Sequence, residues 1–266
     1  MDSIHFLLNA LVEKAGYDNG FENSRHLENG GIALSSSRHP ACLHVFNVPE
    51  GYNVVLDQAP ESLHHELQRE FGSFFGESFL CENEAELHLF LRRAAALSRA
   101  LPNQAVNDYL HEIGKELATL PENLKGTEVE RMVRQRVGQD KYRDAMLDYW
   151  GNACAVTGIS IPELLRASHA IPWANCHTDA ERLDVFNGLL LSAHLDALFD
   201  RFLIGFDCQG KIVFAPSLDI RQLVAIGITP DLCLRWIDER HERYLGWHRQ
   251  KLNGSDVKNG LIDEIS

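Results

Sequence analysis

Two short stretches decide the fold of the second half of this chain: LRASHAIPW at residues 165–173 and FNGLLLSAHLDALFD at residues 186–200. The first is an apolar run that predicts a strand, and Pro172 ends it because proline has no backbone N–H to donate to a ladder. The second opens with Asn187-Gly188, a pair typical of turns, and passes through three leucines into a helical pattern. Together they predict a strand, a turn, a second strand and a helix.

Imidazole and carboxylate side chains are concentrated on these elements. His169 lies near the end of the first predicted strand, and Asp196 and Asp200 are four residues apart, so both carboxylates share one face of the predicted helix. Like charges at that spacing repel each other unless a cation lies beside them. An imidazole close to paired carboxylates suits a hard divalent ion with a nearby general base.

These stretches resemble the HNH nuclease family, whose ββα-metal fold has a histidine on the first strand, an asparagine in the connecting loop and a metal ligand on the helix. The motifs Ser-His-x-x-Pro-Trp, Asn-Gly-Leu-Leu-Leu and Leu-Phe-Asp are closest to one branch of that family, over roughly residues 128–215. The resemblance implies that His169 is the general base that deprotonates the attacking water. It also implies that Asn187 orients this base.

The resemblance extends to the metal ligands. The helix ligand of the family stands nine residues after the asparagine, which is Asp196 here, and we expect Asp200 to assist it. His194 is a further catalytic candidate on the same helix. Many relatives have an acidic or histidine ligand before the base, but this chain has Ser168, so water and phosphate would complete the shell. The expected ion is Mg²⁺ or Mn²⁺, with Ni²⁺ or Zn²⁺ as alternatives because His194 is close.

The composition limits the class of protein. The net charge of −13 over 266 residues argues against indiscriminate nucleic-acid binding, although the excess acid is mostly in residues 1–120, which hold 8 basic and 17 acidic residues. Six scattered cysteines without a Cys-x-x-Cys pair indicate neither a disulfide framework nor a zinc knuckle. The sequence has neither a basic leader nor a long apolar run, so we expect a cytoplasmic protein that does not enter membranes.

The hydrophobic pattern predicts an α+β protein with two domains. The predicted parts are an N-terminal domain at 1–120, a linker at 121–127, an HNH nuclease domain at 128–252 and a flexible tail at 253–266. The first domain is expected to be mainly helical, with a loop over 17–38, one small hairpin over 42–56 and helices at 61–75, 83–101 and 103–119. The second is expected to be a ββα-metal core with flanking helices at 128–149 and about 230–252, and a strand pair over 202–214. We also expect His241 and His248 on the last helix to be exposed.

The segment 128–149 is the most basic part of the chain. Arg134, Arg136 and Lys141 either belong to a solvated helix face or contact phosphate groups beside the nuclease core, and the resemblance slightly favours phosphate contact. Arg166, close to the predicted base, either grips a neighbouring phosphate or is an exposed arginine at a strand end. Both alternatives stay open at the level of the sequence.

These features predict a metal-dependent HNH endonuclease that hydrolyses DNA phosphodiester bonds, with restriction or anti-phage defence as its setting. The N-terminal domain would read sequence or modified bases, or dock a partner. One active site cuts one strand, so double-strand cleavage would need a homodimer or two successive events. The alternative is a non-catalytic module that binds nucleic acid or a partner through a degenerate HNH fold, and the presence of both His169 and Asn187 argues against it.

Overall fold

A computed structural model describes residues 2–72, 76, 78–101 and 104–252 of the chain. The chain forms two compact units, Met1–Gln104 and Ala105–Ser266. The segment 121–127, which we predicted to be a linker, lies inside the second unit and contains a short helical turn at Glu122–Leu124. The predicted flexible tail at 253–266 lies outside the described residues.

The first unit combines one antiparallel sheet with helices. Its elements are α1 (Asp2–Asp18), β1 (Asn23–His26), β2 (Ile32–Ser35), β3 (Cys42–Val48), β4 (Gly51–Gln58), α2 (Glu61–Phe71), β5 (Ser78–Cys81) and α3 (Glu84–Ala100). The strands pair in the order β1-β2-β3-β4-β5. Burial alternates along β3 and β4, so Leu43, Val45 and Val54 face the core. Helices α1 and α3 both contact this sheet.

Two expectations for this unit are wrong. Residues 17–38 are not a loop, because β1 and β2 both lie within them, and the expected small hairpin is the centre of a five-stranded sheet. The sequence of β1, NSRH, is polar and exposed at all four positions, so its pairing leaves no alternating pattern. The hairpin itself and the helices expected at 61–75 and 83–101 are confirmed over the described residues, and the helix expected at 103–119 is present in the second unit.

The second unit contains the strand–strand–helix order that the sequence predicts. Its elements are α4 (Gln104–Thr119), α5 (Glu128–Tyr149), β6 (Leu165–His169), α6 (Asp179–Leu183), β7 (Gly188–Ser192), α7 (Ala193–Phe199), β8 (Ile204–Phe206), β9 (Ile212–Phe214), α8 (Ile220–Val224) and α9 (Glu242–Leu252). Strands β6 and β7 pair antiparallel, β8 and β9 form a second antiparallel pair, and α7 directly follows β7. The α+β class is therefore confirmed.

Helix α5 and strand β7 supply much of the core of this unit. On α5, Tyr142, Met146 and Tyr149 recur at helical spacing and are buried, and the helix contacts both β6 and β7. All five residues of β7 are buried, as expected for a continuous apolar run that is covered on both faces. The paired strands are therefore held between α5 and the elements that follow β7.

The end of this unit differs from our prediction in two ways. The last helix begins at Glu242 and not near residue 230. His241 and His248, which we expected to be exposed, are 0% and 1% exposed. The His248 ring stacks on Phe199 at 3.9 Å, so its apolar faces contribute to the core. Within the described ranges, every helix is too short or too polar to span a bilayer.

Candidate active site

His169 is the last residue of β6 and lies opposite Gly188 of β7. Its ring stacks on Tyr142 of α5, with centroids 3.8 Å apart, and meets the edge of Trp173 at 5.9 Å. Its Nε2 lies 2.8 Å from the carbonyl oxygen of Arg182. A carbonyl can only accept, so Nε2 carries the hydrogen and Nδ1 keeps its lone pair.

The surroundings of His169 also set its charge. Burial lowers the pKa of His169 to about 4, and the hydrogen bond to the Arg182 carbonyl opposes this shift without cancelling it. Burial acts in this direction because it disfavours the charged imidazolium. At neutral pH the ring is therefore uncharged, with Nδ1 as a proton acceptor, which is the state that a general base requires.

Asn187 is 0% exposed and connects the two ends of the loop between β6 and β7. Its Oδ1 accepts a hydrogen bond from the backbone N–H of Ile171 (2.8 Å), and its Nδ2 donates to the carbonyl of Glu181 (2.9 Å) and towards Sγ of Cys176 (3.3 Å). Arg182, whose carbonyl holds His169, follows Glu181 directly. Asn187 thus holds together the loop that carries the Arg182 carbonyl.

Gly188 permits the close approach of β6, β7 and α5. A Cβ at this position would lie 1.9 Å from the carbonyl oxygen of Ser168 and 2.3 Å from Oη of Tyr142. The Tyr142 hydroxyl donates to the carbonyl of Asn187 (3.0 Å), so it cannot move away without losing that bond. The Asn-Gly pair therefore has a packing role as well as a turn role.

Asp196 of α7 contacts the strand residue that precedes His169, and Asp200 directly follows the last residue of α7. The Ser168 hydroxyl donates to Oδ1 of Asp196 at 2.5 Å. Burial and, second, the negative charge of Asp196 raise the pKa of Asp200 to about 6. We call Ser168, Asp196 and Asp200 the carboxylate cluster. Its donors are all oxygen atoms, which suit a hard divalent cation, and such a cation would offset the repulsion between the carboxylates.

Two other predicted site residues lie on the surface. His194, in the first turn of α7, is exposed and stands two residues before Asp196, a spacing that directs side chains to different sides of a helix. Arg166 extends from β6 and is exposed, and its Nη1 donates to two backbone carbonyls of its own segment at 2.9 Å.

The three basic candidates on α5 have different surroundings. Arg134 forms an ion pair with Glu130 (2.8 Å), and Arg136 forms one with Glu116 (3.2 Å). Lys141 is half-buried. The acidic partners reduce the positive potential that the two arginines could offer to phosphate, so their role in DNA binding stays a prediction.

Sequence reasoning did not identify two of the groups that hold His169. Tyr142 gives no functional signal in the sequence, because an inward-facing tyrosine on a helix is ordinary in a core. The Arg182 group is a backbone carbonyl, which every residue type offers, so no side-chain signal could reveal it. Only the folded path of the loop brings this oxygen to the imidazole.

A family model described as HNH endonuclease matches residues 154–207. This segment contains β6, the loop, β7 and α7, and with them His169, Asn187 and the carboxylate cluster. No curated protein matches the chain. This match confirms the resemblance of the segment to the HNH endonuclease family.

Proposed function

We propose that this chain, which carries an HNH endonuclease domain at residues 154–207, uses a divalent metal ion to hydrolyse DNA phosphodiester bonds. The observation that carries the proposal is the 2.8 Å contact between Nε2 of His169 and the carbonyl of Arg182. This contact fixes the tautomer in which Nδ1 can take a proton. The carboxylate cluster begins at the residue next to this base.

The reaction follows from these positions. Nδ1 of His169 accepts a proton from a water molecule, and the hydroxide so formed attacks phosphorus while the P–O3′ bond breaks. The products are a 5′-phosphate and a 3′-oxygen that takes a proton from solvent. The Tyr142 stack and the Arg182 carbonyl keep the imidazole oriented during proton transfer. The neutral ring at pH 7 means that every molecule is ready to accept the proton.

The carboxylate cluster would hold the metal ion. Asp196 and Asp200 would supply charged oxygens and Ser168 a neutral one, a set that favours Mg²⁺ or Mn²⁺ over Ni²⁺ or Zn²⁺. A bound divalent ion supplies positive charge that offsets negative charge on the scissile phosphate and the leaving oxygen. Asp196 already contacts the end of β6, because it accepts a hydrogen bond from the Ser168 hydroxyl.

The wider function is also part of the proposal. Restriction or anti-phage defence would use such an enzyme, with the first compact unit recognising DNA features or docking a partner. Cleavage of both strands would require two active sites, in a homodimer, or two successive nicks. The acidic character of residues 1–120 favours partner docking over direct DNA contact.

The test compares the wild type with His169→Ala on supercoiled plasmid, in Mg²⁺, Mn²⁺ or EDTA. Loss of a general base should slow nicking by about 10²–10⁴-fold. His111→Ala, a change at an exposed histidine of α4, is the matched control and should nick at the wild-type rate. Asp196→Ala should weaken Mn²⁺ binding in calorimetry. A folded His169→Ala protein that nicks at the wild-type rate would exclude this assignment, and wild-type protein inactive in both metals would favour the non-catalytic binding module.

A further inference from the structure

A second group of metal-ligand side chains lies in the first compact unit, on the β3–β4 hairpin. Cys42 and His44 are two residues apart on β3, so they share the face of the strand opposite the buried Leu43. Asp57 on β4 is the extra residue of a β-bulge, because Cys42 pairs with Gln58 while Leu43 pairs with Leu56. Val55 is the partner of His44 and Asp57 follows it by two residues, so the carboxylate lies on the face that carries the thiol and the imidazole.

The distances in this group suit ligands of one ion. One ligand atom from each of the three residues lies within 4.8 Å of the other two. Nε2 of His44 is 3.6 Å from Oδ2 of Asp57, which is too long for a good hydrogen bond. In a tetrahedral zinc centre an imidazole nitrogen and a carboxylate oxygen lie about 3.4 Å apart, given bonds of about 2.0–2.2 Å. The observed separation is close to that spacing.

An unpaired nitrogen of the His44 imidazole is a second, independent observation that favours a bound ion at this group. Within the described part of the chain, Nε2 of His44 is shielded from solvent and has no hydrogen-bond partner. A buried polar atom without a partner is costly, and most such atoms are paired in folded proteins. A cation between His44 and Asp57 would satisfy this nitrogen through its lone pair.

We infer that Cys42, His44 and Asp57 bind a zinc ion, with a water molecule in the fourth position. A thiolate and an imidazole favour Zn²⁺ over Mg²⁺, and the two anionic ligands neutralise its charge. This centre is separate from the carboxylate cluster in residues, in ligand type and in the compact unit that carries it. Its role is to fix the bulged hairpin, since it joins neighbouring strands on the side of the sheet opposite the core residue Leu43.

Cobalt titration of the full-length metal-free protein tests the inference, because only a thiolate ligand gives a sulfur-to-Co²⁺ charge-transfer band. We expect the band to saturate at one Co²⁺ per chain and to disappear when Zn²⁺ displaces the Co²⁺. The band should be absent from Cys42→Ala. Asp196→Ala, which alters the carboxylate cluster, should keep the band, because that cluster contains no thiol. The double variant Cys208→Ser and Cys233→Ser removes the exposed cysteines and should also keep it.

A conservative variant distinguishes the loss of a metal ligand from misfolding of the protein. Asp57 is exposed, so Asp57→Asn should fold normally while it lowers Co²⁺ affinity at least tenfold. Wild-type protein without the band, a band that persists in Cys42→Ala, or unchanged affinity in Asp57→Asn would each overturn the zinc site and leave a simple His44–Asp57 pair. None of these results depends on whether the protein cuts DNA.

Discussion

Two antiparallel strand pairs of this chain each carry a histidine, and they differ in how their strands are joined. β3 and β4 are joined by a turn of two residues, whereas residues 170–187 connect β6 to β7. The Arg182 carbonyl of the long loop contacts Nε2 of His169, whereas Nε2 of His44 has no hydrogen-bond partner in the described structure. The comparison indicates that a long connection can supply a backbone group to a strand histidine, which a turn of two residues does not do here.

The two environments favour different chemistry. His169 is held by a carbonyl and covered by Tyr142, so it is neutral, oriented and prepared to accept a proton. The side chain of His44 is 21% exposed and faces a carboxylate at 3.6 Å, so its lone pair is directed towards a charged neighbour. We therefore expect changes in the long loop to affect catalysis, and changes on the tight hairpin to affect metal binding.

The largest effect in this comparison should come from Asn187→Ala. The change removes the bonds that tie Ile171 and Glu181 together and leaves buried polar groups unpaired, at a cost of about 3 kcal/mol in the free energy of unfolding. The Arg182 carbonyl would no longer be held beside His169, so plasmid nicking should fall at least a hundredfold. Asn175→Ala, an exposed change in the same loop, is the matched control. Equal nicking by both variants would mean that the loop does not position the base.

Acid should weaken the contribution of His248, a fully buried histidine of the second unit, to stability. Burial lowers the pKa of His248 to about 4, below the usual value of 6.5. The unfolded chain then binds more protons between these values, so this contribution to stability is complete above pH 6.5 and is lost as the pH falls towards 4. His248→Gln keeps a donor for the Phe199 carbonyl but does not titrate.

The measurement is the free energy of unfolding of the second unit, from hydrogen exchange at pH 7 and pH 4. The stability advantage of the wild type over His248→Gln should shrink by about 3 kcal/mol across this range. Both proteins contain the other titrating groups, such as Asp200, whose raised pKa acts in the opposite direction. Their contributions therefore cancel in the difference between the wild type and the variant. A constant difference for His248→Gln would contradict the buried, neutral histidine.

How much the sequence could predict differs between the two hairpins. The β6–β7–α7 order followed from an apolar run, an Asn-Gly pair and a helical pattern, each of which is a local signal. The β3–β4 hairpin was also visible, but β1 was not, since its four exposed polar residues form a strand only by pairing with β2. A strand without a buried face leaves no alternating hydrophobic pattern in the sequence.

The same distinction applies to the candidate site. His169, Asn187, Asp196 and Asp200 could be selected because their residue types and spacing carry information. The Arg182 carbonyl could not be selected, because it is backbone. The Cys42, His44 and Asp57 group was also missed, because its ligands come from two strands and only the strand pairing brings them together.

A smaller effect is expected from Tyr142→Phe, which separates the two contributions of this tyrosine. The change keeps the ring stacked on His169 but removes the hydroxyl that donates to the Asn187 carbonyl. The free energy of unfolding should fall by about 1 kcal/mol, the typical net value of one hydrogen bond. Nicking should stay within tenfold of the wild type, measured on the same plasmid. A loss as large as that of His169→Ala would assign the hydroxyl, and not the stack, to positioning the base.

The smallest effect should come from His194→Ala, which compares an exposed histidine with the buried base. At about 100° per residue, two positions before Asp196 correspond to about 200° around α7, so His194 is directed away from the carboxylate face. Nicking in Mn²⁺ and calorimetric Mn²⁺ affinity should each change less than threefold, whereas Asp196→Ala should lower both. If His194→Ala instead lost a hundredfold in nicking, the imidazole would have to reach the cluster in the metal-bound state. The ligand set would then contain nitrogen, and Ni²⁺ or Zn²⁺ would become the better match for this centre.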